Sequence, residues 1–375
     1  MARRDIGPDL LRGIAILLVM ATHMPYDHVP EAFETCLGSY GWFGVDIFFV
    51  LSGYLIGGEL LRPVQAGGAP DLVIFYLKRV FRILPVFWLI LAIYALWPGL
   101  REGATMAPVW RFLTFTVNLN LDIRTARSFS HAWSLCVEEH FYLLLPLIIL
   151  GLHRLRTHWL PVVLALALVV SGMVLRDHLW RVAQGVGGGP AEFLKFVYYP
   201  TWCRLDGLIC GVGLAALRLF RPALWTRFAR PALLAPVSIL CMALAVGMTV
   251  SSGEILGEIA SVIVYPLFSF GVALLLAALV RLEPNHKSFR ATGLGFIAMI
   301  SYSLYLCQKL VYQADNRWLP PQWTQGWVAV GVYYLSAIIV ATFLYILVER
   351  TFMRLRARVL AHMKKPPQSP ETAFS

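Results

Sequence analysis

Charge is scarce in this chain. Asp, Glu, Lys and Arg make up 14% of its 375 residues, while 58% are hydrophobic. A soluble domain carries about 25% charged residues, so too little is left to cover a water-facing surface, and a soluble globule is excluded. Cysteine is equally sparse. The six cysteines, Cys36, Cys136, Cys203, Cys210, Cys241 and Cys307, form no CxxC pair and no His-linked metal spacing, so neither a disulfide framework nor a metal site is expected, and they read as small apolar packing residues. No small-x-small cleavage site follows the first apolar run, so that run is a retained helix rather than a signal peptide. Long polar stretches are also missing, which leaves no room for a soluble domain.

What is present is a succession of apolar windows near 20 residues, the length that crosses about 30 Å of hydrocarbon. They predict an all-α, polytopic transmembrane helical bundle of about ten helices, at 10–28, 41–61, 83–98, 131–152, 159–175, 196–217, 232–251, 256–280, 293–313 and 326–348. With both termini cytoplasmic, one side collects 22 of the 32 Lys and Arg residues, the bias of the positive-inside rule. Residues 108–121 are apolar but short and hold Arg111, Asn118 and Asn120; they read as an interfacial or re-entrant piece, because a span there would invert every later loop. Residues 1–350 form one integral membrane domain, and 351–375 a basic cytoplasmic tail ending in the disordered-looking KKPPQSPETAFS. The net charge of +11 is topology signal plus contact with anionic membrane lipid or an anionic ligand, and needs no nucleic acid.

Ionisable residues inside such spans are costly and mark function by default. Arg12 and His23 stand eleven residues apart in LLRGIAILLVMATHMPY, on one helix face and about 16 Å apart along the axis. Asp46, Gly53 and Gly57 share a face in GWFGVDIFFVLSGYLIGG, the glycines spaced for a close helix neighbour. In SFSHAWSLCVEEHFYLLLPL, Ser134, Glu138 and Tyr142 line one face, and the adjacent Glu139 points elsewhere. By helical rise Asp46 lies about 8 Å and Glu138 about 12 Å below the outer surface, near the depth of His23. A carboxylate that orients a His is the arrangement of a general base. Arg79 and Arg82, with Lys78 in YLKRVFRILP, are neighbours on a helix surface and suit a phosphate-bearing ligand.

The ordered segments DLLRGIAILLVMATH, GVDIFFVLSGYLI, FYLKRVFRILPVFW, HAWSLCVEEHFYLLLPL, TWCRLDGLICG and ISYSLYL together resemble acyltransferase family 3, the integral membrane O-acyltransferases. That resemblance implies a ten-helix protein of a bacterial inner membrane. It would take an acyl group, most often acetyl, from cytoplasmic acyl-CoA and deliver it to a hydroxyl of a carbohydrate or lipid-linked sugar at the outer side. Acyl-CoA is then a donor substrate, and no tightly bound cofactor is expected. In this pattern Arg12 and His23 match the essential pair of the first helix, Arg79 and Arg82 the basic pair after the second, and Asp46 and Glu138 acidic motif positions. Arg12, Arg79 and Arg82 would hold the donor phosphates. His23 would be the base, oriented by Asp46 or Glu138, with an acyl-His intermediate as the variant route. Glu139, Arg204, Asp206 and Gln308 would serve the acceptor, the alternative for Arg204 and Asp206 being a structural pair of opposite charges that neutralise one another.

Two positions depart from the family pattern. The customary His after YSLYL is Gln308, an amide that hydrogen-bonds but carries no proton away, and His140 stands where a Gln is usual. Some members append a soluble hydrolase-like domain; none is expected here, so transfer would be finished by the membrane domain or handed to a partner. The rival class is a transporter of a lipid-linked sugar or acylated metabolite, since polar residues at mid-membrane also mark permeation paths. The absence of inverted repeats counts against it.

Overall fold

The computed structural model describes residues 6–155, 157, 159–253, 255–282 and 292–363. Arg3, Arg4, Arg156, Lys287, Arg290, Lys364 and Lys365 of the charge reading, and the end of the tail, lie outside these. The described residues form helices and connecting turns with no strand, apart from one bridge between Met106 and Ser128.

The principal helices are α1 Ile6–Thr22, α2 Phe43–Gln65, α3 Leu72–Leu96, α4 Ala132–Leu155, α5 Leu160–Gly185, α6 Asp206–Phe220, α7 Pro231–Ser252, α8 Glu258–Leu282, α9 Gly293–Trp318, α10 Gly326–Leu344 and α11 Arg350–Met363. Among the described residues eight helical stretches are long and apolar enough to cross a membrane. A ninth is α6 taken together with Pro222–Phe228, which bends away by 115°. The remaining helix, α1, has 17 residues and packs against α2, α8 and α9. The protein is thus a multi-pass integral membrane bundle.

Local chemistry sets the ends. Thr22 closes α1 earlier than residue 28 because Pro25 and Pro30 follow, and a proline bars its predecessor from helical geometry. At α3 the Asp71 carboxylate accepts from the Ile74 N–H at 2.9 Å, an N-cap that starts the helix eleven residues before the expected 83. Lys78, Arg79 and Arg82 therefore ride on α3 itself. The sixth span begins at Asp206 rather than 196, because Pro200 interrupts it. Residues 108–121 contain only the short helix Val109–Leu113, in keeping with a piece that does not span.

Close packing of α2 on α6 fixes the centre. A Cβ at Gly53 would overlap the Leu208 carbonyl oxygen, and one at Gly211 the Val50 carbonyl oxygen. Only glycine lets these backbones touch.

Candidate active site

A cavity of about 330 Å³ opens between α1, α2, α3, α4 and α9. Its basic end holds Arg12, Arg79 and Arg82, and its wall includes the Ser134, Glu138 and Tyr142 face of α4 and Tyr305 of α9. Helical periodicity explains the grouping: each set repeats at three or four residues and so presents one face inward. Arg12 pairs with Asp9 at 2.8 Å. Glu59 takes both Lys78 and Arg79 at 2.6 Å, and the Arg79 guanidinium lies over the rings of Phe75 and Tyr142. The Tyr142 hydroxyl donates to Glu138 Oε2 at 3.2 Å and lies 2.5 Å from Ser52 Oγ.

Beyond Tyr305 the cavity gives way to a polar cluster around His23. The Tyr305 hydroxyl donates to the His131 carbonyl at 2.6 Å and is met by Ser134 Oγ at 2.5 Å. The His131 ring stacks edge-on to Tyr305 and lies 5.7 Å from the His23 ring. His131 Nε2 donates to the Leu306 carbonyl at 3.3 Å, so its buried Nδ1 carries a lone pair, without a hydrogen-bond partner among the described residues. Gln308 Nε2 donates to the Tyr305 carbonyl at 3.3 Å and to His23 Nδ1 at 3.1 Å. On the far side Lys309 Nζ lies 3.4 Å from Glu102 and 3.2 Å from Ser130. Tyr305, Gln308 and Lys309 sit at i, i+3 and i+4 of α9, so one face of that helix builds the cluster. His23 is half-buried and reachable, whereas His131 is buried behind it.

Two expected partnerships are corrected. Neither Asp46 nor Glu138 hydrogen-bonds His23. Asp46, in the first turn of α2, pairs with Arg204 at 2.9 Å. Asp206 opens α6 and binds Arg176 through both oxygens, at 2.7 and 3.2 Å. All four side chains are buried, and Arg204 is boxed by the rings of Tyr265, Tyr198, Trp133 and Phe49. The acids stand at helix N-termini, where the backbone dipole favours them. Glu138 turns instead into the cavity with Arg79 and Arg82. Depth along a helix does not say which neighbour a side chain faces.

The acceptor residues separate in the same way. Gln308 contacts His23; Arg204 and Asp206 are enclosed in the ion-pair network, away from the cavity; and Glu139 is absent from the cavity lining, with its Oε1 buried and unpartnered among the described residues. His140 bonds Thr201 Oγ1 at 2.7 Å. Residue reading missed His131, Glu102, Arg176 and Lys309. An Arg directly after the apolar run ALALVVSGMVL, within one helical window, and a His directly before AWSL were the available signals.

The cavity, its arginines and the histidine pair are drawn from segments scattered over 300 residues, and the same span is recognised by comparison. A family model described as an acyltransferase domain matches residues 5–346. The chain belongs to that family. Within it, this acyltransferase domain is similar to YrhL of Bacillus subtilis, 29% identical over 56% of this chain and 32% of that protein. It is similar also to the peptidoglycan O-acetyltransferase OatA of Listeria monocytogenes, 28% identical over 55% of this chain and 33% of the relative. The O-acetyltransferase OatA of Staphylococcus aureus is 26% identical over 56% and 34%. The acyltransferase domain thus aligns with about a third of the length of these curated relatives. No solved structure matches it.

Proposed function

We propose that this protein is an O-acyltransferase of a bacterial inner membrane that moves an acetyl group from cytoplasmic acyl-CoA to a hydroxyl of a carbohydrate or lipid-linked sugar at the outer face. The observation that carries this reading is a cavity with Arg12, Arg79 and Arg82 at one end and Tyr305, backed by His131 and His23, at the other. Guanidinium groups match phosphate oxygens in paired hydrogen bonds, so the arginine end suits the nucleotide of the donor. Placing that end at the cytoplasmic side agrees with the positive-inside bias and puts both termini there.

In this mechanism the thioester comes to the His23 end and the acceptor hydroxyl approaches from the opposite side. His23 takes the hydroxyl proton, the oxygen attacks the thioester carbonyl, and the thiol leaves with a proton returned from the imidazolium. Gln308 decides which His23 nitrogen is basic. When its N–H faces Nδ1, the His23 proton sits on Nε2; when the amide turns its oxygen to the ring, Nδ1–H is held and Nε2 is free to accept. Lys309, within electrostatic reach of His23, would supply positive charge to the oxyanion of the tetrahedral intermediate. The names of the relatives favour a cell-wall glycan as acceptor.

Thermal stabilisation of the purified protein by acetyl-CoA tests the reading. A shift in the wild type that survives His23→Ala and is lost in Arg79→Ala/Arg82→Ala supports it. No shift with any acyl-CoA in folded protein sinks it and favours a transporter.

A further inference from the structure

The helix α11 carries an arginine that its packing does not explain. Its half-buried residues are Met353, Arg356, Val359 and Leu360, at i, i+3, i+6 and i+7, which is one stripe along the helix. Phe352, Arg354, Leu355 and Arg358 are exposed. The helix packs against α3, the helix of Arg79 and Arg82, and Arg356 lies within electrostatic reach of Arg82, Arg79 and Glu59. An apolar packing stripe has no need of a guanidinium at its centre, least of all one within reach of two others.

Glu59 holds Lys78 and Arg79, and Asp9 holds Arg12. Glu349 and Glu138 accept from the neutral hydroxyls of Ser303 and Tyr142, at 2.8 and 3.2 Å, and lie within electrostatic reach of Arg82. Among the described residues Arg82 and Arg356 make no ion pair with any of them, and Arg79 Nε is buried without a hydrogen-bond partner. Arg356 thus stands near Arg82 and Arg79 with no ion pair of its own, and an anion with paired acceptor oxygens would complete the donors left over.

We infer that Arg356, which stands outside the cavity lining on the helix packed against α3, is a fourth arginine of the donor site, binding a phosphate of the acyl-CoA nucleotide where it projects past Arg79 and Arg82. The inference rests on the acyl-CoA reading above. Arg356 acts on donor affinity and not on the chemistry at His23, and the arginines exposed on the other face of α11 take no part.

The test is binding of acetyl-CoA and of S-acetylpantetheine, which has no phosphate, to wild type, Arg356→Met, Arg354→Met and Arg79→Met/Arg82→Met. Methionine continues the stripe of Met353, Val359 and Leu360, so Arg356→Met is expected to melt, without ligand, at or above the wild-type temperature. Its acetyl-CoA affinity is expected to fall about tenfold, the scale of one charge-assisted hydrogen bond, while S-acetylpantetheine binds both proteins alike and Arg354→Met matches wild type. Wild-type acetyl-CoA affinity in Arg356→Met, alongside loss in the double variant, overturns the inference and leaves the acyl-CoA reading standing. Equal weakening of S-acetylpantetheine, or equal loss in Arg354→Met, also overturns it. No acetyl-CoA binding by the wild type overturns both.

Discussion

At the scale of the residue, the proposed chemistry turns on His23 and the amide that touches it. His23→Ala is expected to lower acetyl transfer by about 10²- to 10⁴-fold, the usual worth of a general base, with acetyl-CoA affinity unchanged. A matching fall in donor affinity would place His23 in the binding site instead. Gln308→Leu removes a hydrogen bond of about 1 kcal/mol and leaves the ring undirected. It is expected to cost roughly tenfold in kcat with KM for the donor unaltered, and an unchanged kcat would remove Gln308 from the mechanism. Gln308 was legible from the motif around ISYSLYL, and His23 from its place in an apolar run. His131 was not, because a His at the head of a helix has many uses, and only the 5.7 Å approach of the two rings singles it out.

At the scale of the element, α2 and α6 are joined twice, by touching glycine backbones and by the pair of Asp46 with Arg204, which stands just before α6, while Arg176 of α5 holds Asp206. Asp46→Asn leaves Arg204 buried with its countercharge gone, and breaking such a pair costs about 3–5 kcal/mol. The expected result is a clear drop in the melting temperature of the detergent-solubilised protein, with wild-type acetyl-CoA affinity in the fraction that remains folded. Unchanged stability with lost transfer would return Asp46 to the catalytic group that the motif resemblance suggested. Gly211→Val forces the α2 and α6 backbones apart and is expected to destabilise by at least the 1–3 kcal/mol typical of overpacking, read by the same melting curve. The sequence placed Gly53 and Gly57 on a packing face, and the structure supplies the partners, Leu208 and Val212. The partners were unreadable beforehand because helix-to-helix contacts join segments some 150 residues apart.

At the scale of the whole molecule, the bundle separates its charges. One end of the cavity gathers arginines, the buried N-terminal ends of α2 and α6 hold the Asp46–Arg204 and Arg176–Asp206 pairs, and the Glu102–Lys309 pair acts on His23. Donor binding at the arginine end is therefore expected to weaken as ionic strength rises, since exposed charge interactions are screened over about 10 Å at 0.1 M salt. Measuring acetyl-CoA affinity from 50 mM to 500 mM sodium chloride checks this; an affinity independent of salt would argue for a mainly apolar donor site. The enclosed ion pairs respond far less to salt, so the melting temperature without ligand is expected to vary little over the same range.

Composition and hydrophobic period settled the membrane class, the helical bundle and most of its spans, because a bilayer leaves the chain few ways to satisfy its backbone. The ordered motifs pointed to the family, and the three- and four-residue spacings grouped Arg79 with Arg82 and Ser134 with Glu138 and Tyr142. Tertiary structure alone decided which faces met. It gave Asp46 to Arg204 and not to His23, turned Glu138 toward the arginines, brought His131 and Gln308 to His23, and laid Arg356 of the C-terminal helix beside α3. The physical reason is that rise along a helix sets depth and periodicity sets a face, while the rotation of each helix toward its neighbours is fixed by side-chain packing between segments far apart in the chain.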